Sequence, residues 1–245
     1  RLKEYENQGL TSVVFTFDMN PKLFFSNNDY KYIYARDEKM KYLEELGVDV
    51  LVELPVNEKY MGMEPEQFIE KILVEKLRAK EIVVGEDFRF GKARRGDIRL
   101  LEKLGVIYGY NVDALNKAHD KGLIISSTKI RNEIEVGNLH KAGSLLGRPY
   151  SIYGKVVKGN QIGRTINVPT ANQIMNEYKC LPPVGVYGSL ISIDKKLYQG
   201  ISNLGYKPTV NSSNRVMGLE TYIFDFEEDI YDKYIEVFPI RYIRS

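Results

Sequence analysis

The hydrophobic pattern of the chain changes character near residue 148. Before that point short apolar runs alternate with amphipathic stretches. Ser12-Val13-Val14-Phe15-Thr16-Phe17 is a β-branched run suited to a buried parallel strand. Asp37 to Leu46 carries Met40, Leu43 and Leu46 at helical spacing, and Gly47 stops it. Val48 to Leu54 reads as a second strand. Pro65 opens a helix with Phe68, Ile69, Ile72, Leu73 and Leu77 on its inner side. Ile82 to Val84 is a third strand, Asp97 to Leu104 a helix, and Val106 to Tyr110 a fourth strand. Helices over 128–135 and 139–146 close this part, and Gly147-Arg148-Pro149 breaks the pattern. Strands separated by helices predict a doubly wound parallel α/β sheet.

After Tyr150 the pattern becomes short β-like runs with Gly, Pro and Asn turns: 153–157, 185–193, 197–204, 219–226 and 234–242. No helical spacing interrupts them, which predicts a small closed or Greek-key β-barrel. The reading is two domains, 1–148 and 149–245. Composition agrees with a folded globular protein: 245 residues, 43% hydrophobic and 28% charged. Lys+Arg 35 against Asp+Glu 33 gives no basic surplus, which argues against nucleic-acid binding as the main activity. No apolar run nears the roughly 20 residues that span a bilayer, so no membrane partner is expected. The lone Cys180 excludes a disulfide framework, fits a reducing cytoplasm, and reads as a small buried hydrophobe. Arg1 to Glu6 is charged and lacks an initiator Met, which reads as a chain whose natural N-terminus precedes it.

Three segments of the first part are candidates for chemistry. Val84-Gly85-Glu86-Asp87-Phe88-Arg89-Phe90-Gly91 lies at the carboxyl end of a strand, where open α/β sheets bind ligands; its aromatics can stack on a flat ring or simply be buried. Ile125-Ser126-Ser127-Thr128-Lys129-Ile130-Arg131 caps a helix whose free N–H groups and cations attract phosphate; an ordinary capped helix with solvated charges reads the same way. Arg89, Lys92, Arg94 and Arg95 can neutralise a nucleotide or form a solvated loop.

In the second part no Walker A motif occurs, since Gly91-Lys92 and Gly154-Lys155 lack its flanking residues. Phosphate handling falls instead to the glycine-flanked segment from Gly154 to Arg164, with Gly159, Gly163 and Arg164, ahead of a Pro169-Thr170-Ala171-Asn172 turn. Thr170 and Asn172 offer hard oxygen ligands suited to magnesium, or are mere turn residues. Glu220 heads an apolar, aromatic strand with Phe224 and Phe226. It can serve as a base for an alcohol or point to solvent.

Together these strings resemble the bacterial bifunctional riboflavin kinase/FMN adenylyltransferase (FAD synthetase) family. In the first part the landmarks are Thr16-Phe17-Asp18-Met19-Asn20-Pro21, the 84–91 loop and the 125–131 segment. In the second part they are Gly159, Gly163-Arg164, Pro169 to Asn172, Pro182 to Tyr187, Asn203 to Thr209 and Glu220 to Phe226. The resemblance implies ATP binding by Asn20, Ser127, Thr128 and Arg131, with Asp87, Phe88 and Phe90 beside the flavin or nucleotide. It implies Thr170 and Asn172 at magnesium-ATP, Glu220 as base, and the 159–164 loop as a phosphate flap. Riboflavin, FMN, FAD, ATP and Mg2+ are then the expected small molecules.

Four departures bear on that expectation. The family's His-x-Gly-His element is absent, and His119 and His140 stand in other contexts. Asn20 occupies a position where the family tends to have His. Low or no FAD synthesis is therefore expected of this polypeptide. Asn167-Val168 replaces the usual Gly-Phe, and the chain stops at Ser245, before the family's final helix. Two other readings stay open: a kinase with a silent first domain, and a non-catalytic flavin-sensing or nucleic-acid-binding module.

Overall fold

The computed structural model describes residues 4–5, 8–25, 30–120, 122–158, 169–209 and 212–245. By contacts the chain divides into two compact units. The first comprises Arg1–Asn28 and Val48–Ile125, the second Asp29–Gly47 and Ser126–Ser245. This division differs from a single cut at 148, because Asp29–Gly47 and the residues from Ser126 to Arg148 both join the second unit.

The first unit is parallel α/β. Strand β1 (Val13–Phe17) pairs in parallel with β2 (Val50–Leu54), and β3 (Glu81–Gly85) with β4 (Asn111–Leu115). Helix α1 spans Pro21–Phe25. Between β2 and β3 lie α3 (Glu58–Met61) and α4 (Pro65–Phe68), the latter widening into a π-helical Ile69–Lys76. Its core is Ile69, Leu73, Phe90, Leu101 and Tyr110. Helix α5 runs Ile98–Tyr108, and a two-stranded hairpin, β5 (His119–Asp120) with β6 (Leu123–Ile124), ends the unit.

The expected strand over 106–110 is instead the end of α5. Asp97 caps that helix by accepting the Leu100 N–H, and Leu101 and Gly105, one turn apart, form its buried stripe. Val106 and Ile107 are 89% and 67% exposed, and Gly109 at φ 74 closes the helix in the left-handed conformation. The strand follows one turn later. A β-branched pair thus sits on the solvent side of a helix set by its neighbours' packing.

The second unit is a closed antiparallel barrel with helices against it. Strands β7 (Ile152–Val157), β8 (Thr170–Ile174), β9 (Gly185–Ile193), β10 (Lys196–Thr209), β11 (Ser212–Ile223) and β12 (Tyr234–Arg244) close in the order β10-β11-β8-β7-β12-β9. Interior positions alternate with outer ones: Ile191, Leu204, Leu219, Ile235 and Val237 are fully buried. Helices α6 (Ser127–Glu135) and α7 (Leu139–Leu146) bury Ile130, Ile134, Leu139 and Leu145. Among the described residues no helix is long and apolar enough to cross a membrane.

Helix α2 (Arg36–Glu45) belongs to this unit, and its inward side differs from the expected apolar stripe. Its buried residues are Glu38 and Tyr42, while Met40 and Leu46 are 42% and 66% exposed. Polar side chains face inward because the barrel supplies their partners. Lys179 Nζ sits 2.6 Å from Glu38 Oε2, and the N–H groups of Ala35 and Tyr153 donate to the same carboxylate. Tyr42 donates to Glu236 at 2.6 Å, and Glu236 also receives Ser151 and Lys41. A paired, hydrogen-bonded charge tolerates burial that an isolated one would not.

Candidate functional site

The Pro-Thr-Ala-Asn segment is the head of β8 rather than a turn. Pro169 precedes the ladder, where its missing N–H costs nothing. Thr170–Ile174 then pairs with β11 on one side, and its Asn172 and Gln173 pair with β7 on the other. Alternation sends Ala171 and Gln173 inward, both buried, and Thr170 and Asn172 outward.

Glu220 lies within β11, not at its start, and the register sets it directly opposite Asn172. On its other side it faces Asn203 of β10. The outer face therefore carries a rung Asn203–Glu220–Asn172, with Val157 of β7 next in line. One rung away Thr170 pairs with Tyr222 and Tyr222 with Ile201; one rung the other way Gly218 pairs with Gly205 and Ile174. Leu219 and Thr221 point inside, and Thr221 shares a 2.9 Å hydroxyl contact with Ser202 behind the rung. The ring on Glu220's own face is Tyr222. Phe226 packs instead on Tyr198, with ring centroids 5.0 Å apart.

Directly opposed residues in an antiparallel pair bring their Cβ atoms to about 5 Å. One acid, two amides and one hydroxyl thus converge on one side of a rigid sheet. Asn172 is 7% exposed, and its Nδ2 donates to the Thr170 carbonyl at 3.1 Å, which fixes the amide plane. Gly159, Gly163 and Arg164 lie outside the described residues. Beside their segment, Lys155 is committed to Asp232 at 2.8 Å, a partner that raises the lysine's pKa and lowers the acid's.

The residues expected around a second nucleotide are divided between the units. Ser127, Thr128 and Arg131 belong to the barrel unit and Asn20, Asp87, Phe88 and Phe90 to the first. Ser126 is the N-cap of α6 and accepts the Lys129 N–H at 3.3 Å, so Ser127 and Thr128 form the first turn. Arg131 reaches back to Thr128 Oγ1 at 3.5 Å and lies over the Tyr30 ring at 4.9 Å. Helix N–H groups, a hydroxyl and a guanidinium there favour an anion.

In the first unit Asn20 accepts the Lys22 N–H at 2.9 Å at the start of α1. Phe90 is a core residue, 8% exposed, and Phe88 stacks on it at 5.5 Å. Asp87 is exposed, and a hydrogen bond from Lys117 holds its carboxyl below the usual range. Within the basic run, Lys92 and Arg95 both pair with Glu64. Cys180 is buried, and burial pushes its thiol up to about 11, which suits a structural residue and not a nucleophile.

A six-stranded barrel with an acid–amide rung and a separate parallel α/β unit define the class of chain that comparison then resolves. A family model described as FAD synthetase matches residues 1–129, and one described as riboflavin kinase matches 146–245. A bifunctional riboflavin kinase/FMN adenylyltransferase of Buchnera aphidicola subsp. Acyrthosiphon pisum is 39% identical over 238 residues, covering 96% of this chain and 76% of that protein. The protein of the same description from Escherichia coli (strain K12) is 35% identical over 245 residues, covering 99% and 77%. A crystal structure described as a macrolide-efflux protein from Streptococcus pneumoniae superposes with TM-score 0.78 at 31% identity, covering 99% of this chain and 79% of that one. The efflux named there belongs to that protein. The chain belongs to the bifunctional riboflavin kinase/FMN adenylyltransferase family.

Proposed function

We propose that the protein makes FMN from riboflavin and ATP, and FAD from FMN and ATP, as a cytoplasmic enzyme acting on small molecules. The functional division follows residues 1–148 for adenylyl transfer and 149–245 for phosphorylation. One observation carries the kinase reading: Glu220 is paired across strands with Asn172, with Thr170 on the same face. In this reading Glu220 accepts the proton of the ribityl 5′-hydroxyl as that oxygen attacks the γ-phosphorus, and ADP leaves. Thr170 and Asn172 hold the nucleotide end, with Gly159, Gly163 and Arg164 covering the phosphates.

The donor set fits magnesium. Two neutral oxygen ligands suit an ion that takes the rest of its shell from phosphates and water, and among the described residues no cluster of three acids, His or Cys competes for it. When bound, the ion neutralises charge on the phosphates. For adenylyl transfer the FMN phosphate attacks the α-phosphorus of ATP and pyrophosphate leaves. Ser127, Thr128 and Arg131 bind phosphates, Asn20 assists ATP, and Asp87 and Phe88 border the flavin, with Phe90 beneath as packing. That step is mostly alignment and charge neutralisation.

The test is chromatography of products after mixing the chain with riboflavin, ATP and magnesium. FMN is expected in quantity and FAD at a low level, since the His-x-Gly-His element is absent from residues 1–245 and Asn20 stands where the family tends to have His. FMN alone removes the adenylyl-transfer half, and neither product overturns the proposal.

A further inference from the structure

The rung has two sides, and they are unlike. On one, Asn172 is nearly buried and its amide is tied to its own strand. On the other, Asn203 is exposed, while its chain neighbours Ser202 and Leu204 are each 1% exposed inside the barrel. Along the rung the next residue beyond Asn203 is Val186 of β9; one rung over, Gly205 pairs with Gly218, and among the described residues a Cβ added at Gly205 would meet nothing within 4 Å. The neutral amide and the acid therefore both border a glycine-floored strip.

Resting on the kinase reading, we propose that Asn203 is the positioning residue of the acceptor side, orienting the Glu220 carboxylate and the polyol chain that delivers the attacking hydroxyl. A directly opposed amide has the reach to give the carboxylate one N–H and to keep a second N–H and a carbonyl oxygen for hydroxyls. A polyol offers donors and acceptors in alternation, which matches an amide better than a charge. Being neutral, Asn203 orients Glu220 without adding charge to a group that must take a proton. The reaction balances as before: the hydroxyl proton passes to Glu220, the O–P bond forms, and the bond to ADP breaks. Asn203 changes no bond.

The experiment is steady-state kinetics of FMN formation by N203A and N203S, with kcat and the KM for riboflavin and for ATP measured separately. N203A should lower kcat by roughly 10- to 100-fold, as expected for a hydrogen bond to a charged group, with KM for ATP within about threefold. N203S, which keeps a donor, should recover part of the loss. The inference is overturned if N203A keeps kcat within about twofold, or if its loss is matched by an equal rise in KM for ATP. If N203A does not fold, N203S decides: a lowered kcat with KM for ATP unchanged is expected, and a kcat equal to wild type overturns the inference. Wild-type chain that forms no FMN sinks the kinase reading; an active wild type with an indifferent N203A sinks only this inference.

Discussion

Glu220 on β11 and Glu236 on β12 are acids of one barrel, separated by β8 and β7, and both sit on its outer face between inward-facing neighbours. Their sequence contexts are alike. Their surroundings are not. Helix α2 covers Glu236 and gives it Tyr42 and Lys41, and Ser151 adds a third donor. Burial works to raise its pKa, and these three hydrogen bonds hold the carboxyl below the usual range all the same. Glu220 instead has a neutral amide opposite it on each neighbouring strand and the Gly205–Gly218 pair one rung along. An acid buried under a helix that supplies its donors is a fastener. An acid flanked by adaptable neutral groups on an accessible face is suited to exchange a proton with a substrate.

The largest expected effect tests the exchange side. E220Q keeps size and rung and should cut FMN formation by about 10²- to 10⁴-fold, the range for loss of a general base, with the thermal midpoint unchanged. The next effect tests the fastener. E38A strands Lys179 in the interior beside the same helix and should cost about 3–5 kcal/mol in urea unfolding. Turnover per folded molecule should stay near wild type. Y42F removes one donor from Glu236 and should cost about 1–2 kcal/mol in the same assay.

The smallest effect is in pH. Glu236 is held below its unfolded value of about 4.3, so its contribution is whole above that pH and drains away as pH falls through the folded value. Urea midpoints of wild type should therefore fall more steeply than those of E236Q below about pH 4.3.

How much of this was legible in sequence differs between the same two regions. The barrel and most of its strands follow from period-2 runs and turn residues, and Gly185–Ile193 matches its expected bounds. The rung does not follow. The β10–β11 pairing shifts register between Pro208 and Thr209, so counting back from Thr209↔Ser212 would set Asn203 opposite Gly218 instead of Glu220. That irregularity keeps the face and changes the partner. Asn203 was visible only as a letter in a motif, without a role. The fastener was hidden for another reason: α2 buries Glu38 and Tyr42, and a search for apolar spacing selects Met40 and Leu46 in their place. Likewise, helix packing carried α5 through Val106 and Ile107, residues that by themselves favour a strand.

The most direct test of the account compares the two acids in one assay: single-turnover FMN formation from riboflavin and magnesium-ATP by wild type, E220Q and E236Q, each normalised to folded protein. E236Q should match wild type within about threefold while E220Q falls by at least about a hundredfold. Equal losses in both variants, or full turnover in E220Q, would contradict the assignment of the proton to the open rung.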